Sequence, residues 1–172
     1  MENVVGVDIG GTTIKSALLS SKGSIIKRCE IRTEAKKGAK EIIKRIFSSI
    51  EEVKEQNIMG IGIGSPGPMD FRKGIITNPV NLPFKNTPLR KIIGKKFKVP
   101  VFLDNDANCF ALAEALFGQG KPYNNVVGIT LGTGFGGGLV VGKKLYYGRG
   151  NAAELGHMSI KYDGLKSKSK NT

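Results

Sequence analysis

The first residues that could do chemistry are Asp8-Ile9-Gly10-Gly11-Thr12-Thr13, between the apolar runs Val4–Val7 and Ile14–Leu19. Two adjacent glycines let backbone N–H groups approach an anion, because no Cβ shields them. The threonines add hydroxyl donors. A carboxylate at Asp8 suits a divalent cation shared with a phosphate. The same residues also suit a tight hairpin whose glycines serve only the turn. The spacing is neither the Walker pattern nor the dinucleotide fingerprint. A second run, Gly132-Thr133-Gly134-Phe135-Gly136-Gly137-Gly138, follows the apolar stretch Val126–Leu131 and reads as a glycine-rich turn. The order strand, Gly/Thr turn, strand, hairpin therefore occurs twice. Two such units would clamp a chain of phosphates from two sides.

Two further clusters carry ionisable groups. Asp104-Asn105-Asp106 closes an apolar stretch and opens a helical one. One of these residues can cap that helix. A second carboxylate there is a candidate for chemistry, because strand ends face the ligand in open α/β sheets. Glu154 and His157, the single histidine, are three residues apart and share a face on a helical turn. Metal binding would need more ligands than the residues after His157 supply.

These groups need elements to hold them. Residues 3–8, 14–20 and 25–32 read as strands of an antiparallel meander. Ile42, Ile43, Ile46, Ile50 and Val53 recur at three- and four-residue spacing, which predicts a helix over 38–56 ending at Asn57. Ile58–Gly64 is a continuous apolar strand and so a buried parallel neighbour. Its glycines at 60, 62 and 64 leave one face bare, for close packing or for a ligand. Residues 65–87, with prolines at 66, 68, 79 and 83, read as a loop, and Thr77–Pro83 could line a polar pocket. Helices at 89–97 and 107–117 flank a strand at 100–103. Gly118–Asn125 reads as a linker, giving lobes at 1–118 and 119–172, the latter ending in a frayed basic tail.

The 172 residues, 40% hydrophobic and 24% charged, suit one sizeable core or two small lobes. The net charge of +13 raises nucleic-acid binding as a function class. Its lysines are spread along the chain, and the two denser patches, 90–98 and 161–170, lack interleaved aromatics. A solvated lysine-rich surface with affinity for phosphorylated small molecules fits better. Two cysteines eighty residues apart, no secretory signal and no run of transmembrane length lead us to expect a cytoplasmic protein away from membranes.

In chain order the motifs are Asp8-Ile9-Gly10-Gly11-Thr12, Gly64-Ser65-Pro66-Gly67, Asn78-Pro79 with Asn81-Leu82, and Asn105-Asp106-Ala107-Asn108 with Ala113-Glu114. Leu131–Gly138 and Ala153-Glu154-Leu155-Gly156-His157 complete the series. Together they resemble the ROK family of bacterial sugar kinases, which includes glucokinases, and of related repressors. The resemblance implies an α/β, actin-like ATPase (ribonuclease H-like) fold, a mixed sheet with flanking helices. It implies ATP-dependent phosphorylation of a hexose or an N-acylated amino sugar, with Mg²⁺. By the same resemblance Asp106 matches the general base, and Asn81, Asn105, Glu154 and His157 match sugar-contact positions. Gly10, Gly11, Thr12, Thr133 and Gly134 would hold phosphates, Asp8 would help place Mg²⁺, and Lys15 would add positive field.

The resemblance also implies pieces that this sequence does not carry. Family members commonly follow the histidine with a cysteine-rich zinc motif in which the histidine is a ligand; here only His157 remains. A full member is nearly twice as long, so we expect an incomplete second lobe and either self-association or a complementary C-terminal polypeptide. The start directly on the first strand resembles the kinase branch. Besides a hexose kinase with Asp106 as base, a non-catalytic sugar-binding or regulatory remnant is the alternative function.

Overall fold

In the computed structural model, residues 2–132, 134–150 and 152–164 are described. The chain divides into two compact units, Met1–Asp106 and Ala107–Thr172. Alternating side chains build the first strand. In β1 (Val4–Ile9), Val5, Val7 and Ile9 are buried, whereas Val4 and Asp8 face outward. β2 (Thr13–Leu19) returns antiparallel with Asp8 opposite Lys15, and β3 (Ile25–Arg32) extends the meander.

The apolar stripe then forms α1 (Ala39–Val53), which buries Ile42, Ile46, Ile50 and Val53. It stops four residues short of Asn57, where the Lys54 N–H caps the Ile50 carbonyl at 2.8 Å. Val53 is the last apolar residue of the stripe, so the polar stretch after it gains nothing by remaining helical. β4 (Gly60–Ser65) pairs parallel with β1, and β7 (Val101–Asn105) pairs parallel with β4. The five-stranded sheet has the order β3-β2-β1-β4-β7. Gly60 and Gly62 differ in purpose: a Cβ at Gly60 would lie 3.1 Å from the Pro100 carbonyl oxygen, whereas one at Gly62 would meet open space.

The stretch 65–87 is more ordered than its prolines suggest. β5 (Met69–Asp70) and β6 (Ile75–Ile76) form a small hairpin, and the Arg90 guanidinium donates to the carbonyls of Phe71 and Arg72 at its tip. Ile76, Leu82 and Phe84 are buried in the same core as α1 and α2 (Leu89–Phe97). Two-residue strands are too short to leave an alternation pattern, so only the packing discloses them.

In the second unit, α3 (Asp106–Phe117; its first residue closes the first unit) covers one face of the three-stranded sheet β10-β9-β8. β8 is Val126–Leu131, β9 is Phe135–Val141 and β10 is Lys144–Leu145. The helix expected to close the first lobe thus packs on this sheet, because Gly128 and Gly138 let Ala111 sit against the strands. The Lys143 ammonium, in the β9–β10 turn, donates to the carbonyls of Ala115 (2.8 Å) and Lys121 (2.7 Å) and ties that turn to the helix end.

The expectation that Gly132–Gly138 is one turn is corrected. Gly132 and Gly134 lie in bends, whereas Gly136, Gly137 and Gly138 are strand. A Cβ at Gly138 would lie 2.6 Å from the Ala107 carbonyl oxygen and from the Ala111 Cβ, and one at Gly137 would lie 2.5 Å from the Ala153 oxygen. These glycines admit neighbouring backbone. Of the two basic patches, 90–98 lies on α2 and its C-terminal end, with the Lys96 ammonium 5.9 Å from the Phe47 ring centre. The second patch runs past Gly164 and, with the expected frayed tail, lies largely outside the described residues.

Candidate functional site

The parallel strands β1, β4 and β7 end together. Their register aligns Asp8, Gly64 and Asp104 in one row, with Ser65 opposite Asn105 in the next. Asp106 follows at once as the first residue of α3. The C-terminal edge of a parallel sheet is where ligands bind in open α/β folds. Asp8, Asn105 and Asp106 are therefore gathered by strand register, although nearly a hundred residues separate the first from the others.

The turn after β1 has a defined scaffold. The Gly10 N–H donates to the Thr13 carbonyl at 2.8 Å and closes the turn. Thr33, fully buried, donates its hydroxyl to the Gly10 carbonyl at 2.6 Å and its N–H to the Thr12 carbonyl at 2.8 Å. With those carbonyls engaged on the protein side, Gly11 and Thr12 stay exposed at the tip. A Cβ at Gly11 would lie 3.2 Å from the Asn81 Cβ, so this glycine lets the Asn81 loop pack against the turn. Asn81 itself is exposed beside it. The turn thus has both uses open to it in the sequence: glycines that shape the backbone and a tip accessible to an anion.

Electrostatics single out Asp8. Loss of hydration among the surrounding protein atoms raises its carboxyl above the ordinary carboxylate range; the negative charge of Asp106 raises it further, and Lys15 opposes both. Asp8 still reaches solvent at the strand end. A carboxyl whose ionised form is disfavoured beside a second carboxylate suits a divalent cation, which would remove that repulsion. This donor chemistry fits Mg²⁺.

In the second unit Gly132 and Gly134 are exposed, and a Cβ at either would meet nothing within 4 Å. The Gly132 N–H donates to the Gly134 carbonyl at 3.0 Å. Unlike Gly136–Gly138, these two face open space. Thr133, between them, lies outside the described residues. Glu154 precedes a single 3₁₀ turn, Leu155–His157, and its Oε2 lies 3.7 Å from His157 Nε2, with both side chains more than half exposed. The shared face expected from their spacing is present. A Cβ at Gly156 would lie 2.3 Å from the Phe135 carbonyl oxygen, so glycine is required where this turn presses on β9. Zinc does not fit these residues. Two donors are fewer than the four of a closed site, and among the described residues no group of three or more His, Cys, Asp or Glu side chains gathers.

Sequence reasoning missed Thr33. It lies outside every glycine-rich stretch, and only the pairing of Thr13 with Arg32 brings it under the turn. Among the described residues no helix is long and apolar enough to cross a membrane.

Known proteins share this fold. The ROK family model matches residues 4–170. A glucokinase of Thermotoga maritima is 42% identical over 164 residues, which are 94% of this chain and 52% of that protein. The crystal structure of a ROK family glucokinase from Streptomyces griseus, in complex with glucose and AMPPNP, superposes with a TM-score of 0.86 at 35% identity over 95% of this chain and 53% of that one. A xylose repressor of Caldicellulosiruptor bescii is 32% identical over 93% of this chain and 42% of its own length. The chain spans about half the length of the relatives it matches. Its mixed α/β architecture with flanking helices is that of the ROK sugar kinases, the actin-like ATPase fold. With the motifs in family order along both units, the chain belongs to the ROK family.

Proposed function

We propose that this chain carries the sugar-binding and catalytic residues of an ATP-dependent hexose kinase. Asp106 accepts the proton of a sugar hydroxyl as that oxygen attacks the γ-phosphorus of ATP. A new O–P bond forms, the bond to the β-phosphate oxygen breaks, and ADP leaves. The observation that carries the reading is Asp106 and Asp8 together at the C-terminal edge of the parallel strands, with the Thr33-braced turn following Asp8. The glucokinases among the relatives support glucose as the substrate, with N-acylated amino sugars in the same chemical class.

In this reading Gly10, Gly11 and Thr12 offer N–H and hydroxyl donors to phosphate oxygens, and Thr133 and Gly134 do the same from the second glycine-rich turn. Asn81, Asn105, Glu154 and His157 read the ring hydroxyls with paired donors and acceptors. Asp8 would hold Mg²⁺, which when bound neutralises phosphate charge. Residues 1–118 supply the sugar loops and the base, and residues 119–172 begin the nucleotide-binding lobe. The cytoplasm, where ATP and free sugars meet, is the proposed setting.

A second reading is favoured by one fact: a xylose repressor is among the relatives, at 32% identity over 93% of this chain. In that reading the chain is a sugar-binding or regulatory protein without phosphoryl transfer. Calorimetry with glucose and a coupled assay of ADP release separate the two. Glucose-dependent ADP release, lost in Asp106→Asn with glucose binding retained, supports the kinase. Glucose binding without ADP release, whether or not a complementary polypeptide is present, overturns it.

A further inference from the structure

Thr33 braces the turn after β1, and the chain on either side of Thr33 is itself fastened to α1. Arg45, on α1, donates from Nη1 to the Arg32 carbonyl at 3.1 Å. Its Nη2 lies 2.9 Å from Glu34 Oε2, and its Nε lies 3.4 Å from Glu41 Oε1, one helical turn earlier. One guanidinium thus grips the residue before Thr33 by its backbone and the residue after it by its side chain. Glu34 is also paired with Lys37, and its backbone is left-handed, at φ 52° and ψ 48°. A residue with a Cβ is uncommon there, and such a conformation persists where its surroundings over-determine it. Here the two cations do so. The Glu34 carboxylate turns to them rather than to the N–H groups of the 3₁₀ turn Ala35–Lys37 that it precedes.

Fully solvated ion pairs contribute little, but this pair is partly withdrawn from water. The Arg45 and Glu34 side chains are 25% and 28% exposed, and Arg45 Nε and Glu34 Oε2 are closed off from solvent. The planar fork of arginine reaches two acceptors in a fixed geometry, which a single ammonium does not. α1 is a firm anchor, because Ile42, Ile46 and Ile50 are fully buried. The line of contacts runs from this helix through Arg45 to residues 32–34, and through Thr33 to the carbonyls of Gly10 and Thr12. The adjacent glycines give the turn little preference of its own for one shape, so its shape is set from outside. A second ion pair joins the same two elements away from the turn: Lys27 of β3, opposite Leu18 in register, lies 3.2 Å from Glu52 of α1.

We infer that Arg45, with Glu34, is a positioning residue for the Gly10–Thr12 turn, acting through Thr33 to hold the turn's N–H groups in the arrangement that takes a phosphate. The phosphate part rests on the function proposed above; the bracing of the turn does not. Donors held in place bind an anion without first losing chain entropy. Loosening the brace therefore weakens binding, even though Arg45 acts only through other protein atoms.

The test follows single amides of the full chain by NMR hydrogen exchange and titrates AMPPNP with Mg²⁺ by calorimetry. Arg45→Met keeps the apolar stem and removes the guanidinium. It should speed exchange at the Gly10 and Thr33 N–H groups about tenfold, while the Val5 and Val7 amides change less than about twofold. AMPPNP binding should weaken about tenfold. Arg45→Lys should behave as Arg45→Met does, because one ammonium cannot serve both acceptors. Glu34→Gln, nearly isosteric, should move the same amides about threefold, and it decides the matter if the Arg45 variants fold poorly. Lys27→Met, which breaks the ion pair away from the turn, should leave both readings at the parent value. Four results overturn the inference: unchanged exchange at Gly10 and Thr33, equal acceleration at Val5 and Val7, full recovery in Arg45→Lys, or unchanged AMPPNP affinity in a variant whose turn exchanges faster. A parent chain that binds no AMPPNP counts instead against the phosphate reading, and the exchange rates alone then decide the brace.

Discussion

Asp8 and Asp106 share one sheet edge, where lost hydration, and after it the charge of Asp106, hold the Asp8 carboxyl in a more protonated state than an isolated aspartate, opposed by Lys15. Strand register brings them near each other, since β1 and β7 both flank β4 and run parallel to it.

The stability of the first unit therefore depends on pH with a defined sign. Between the ordinary value of 3.8 and the raised folded value, the native state binds more protons at Asp8 than the unfolded state does. The Asp8 contribution is full below that window and is lost as pH rises through it. Asp8→Asn removes this dependence. Thermal melts at several pH values should show the variant gaining on the parent as pH rises, and melting higher at pH 7. A lower melting temperature for the variant at pH 7 would contradict the repulsion.

Asp106→Asn removes the neighbouring charge. Carbon-detected NMR titration should then move the Asp8 midpoint downward, towards the ordinary value. In an active preparation the same change should lower kcat by about 10²–10⁴, the usual contribution of a general base, with glucose affinity changed less than about threefold. An unmoved Asp8 midpoint would separate the two carboxylates.

Thr33 is tested by a pair of variants. Thr33→Val keeps the shape but leaves the part-buried Gly10 carbonyl without its hydroxyl donor, at a cost of about 1–3 kcal/mol. Thr33→Ser keeps the donor and should recover most of that loss. Urea denaturation reads both. Equal losses in the two variants would assign the effect to the methyl group.

The glycines separate by environment. Gly138→Ala drives a Cβ to 2.6 Å from Ala107 and Ala111 atoms, which should cost about 1–3 kcal/mol by overpacking. Gly62→Ala meets open space in a strand interior and should be neutral or stabilising by about 0.5–1 kcal/mol, since glycine there costs chain entropy. Melting temperatures that move alike would refute the distinction.

Much of the first unit was legible in the sequence because its signals are local. The Ile42-Ile46-Ile50 stripe specifies α1, and the residues expected for α2 and β3 are those observed. The parallel pairing of β4 with β1 follows from its continuous apolar run. The spacing of Glu154 and His157 likewise anticipated their 3.7 Å approach. The hairpin β5–β6 was not legible, because Arg90, fourteen residues after Ile76, steadies its tip.

The sequence by itself determined the motifs, their order and the family, since these depend on residue identity along one chain. Tertiary structure decided what the glycines do. Gly132, Gly134, Gly136, Gly137 and Gly138 look alike in sequence, yet two face open space and three admit Ala107, Ala111 and Ala153 at close range. The reason is physical: a missing Cβ has meaning only through the atom that would have met it, and that atom belongs to a distant residue. Thr33 beneath Gly10 is the same case seen from the other side, a donor whose acceptor is chosen by strand pairing.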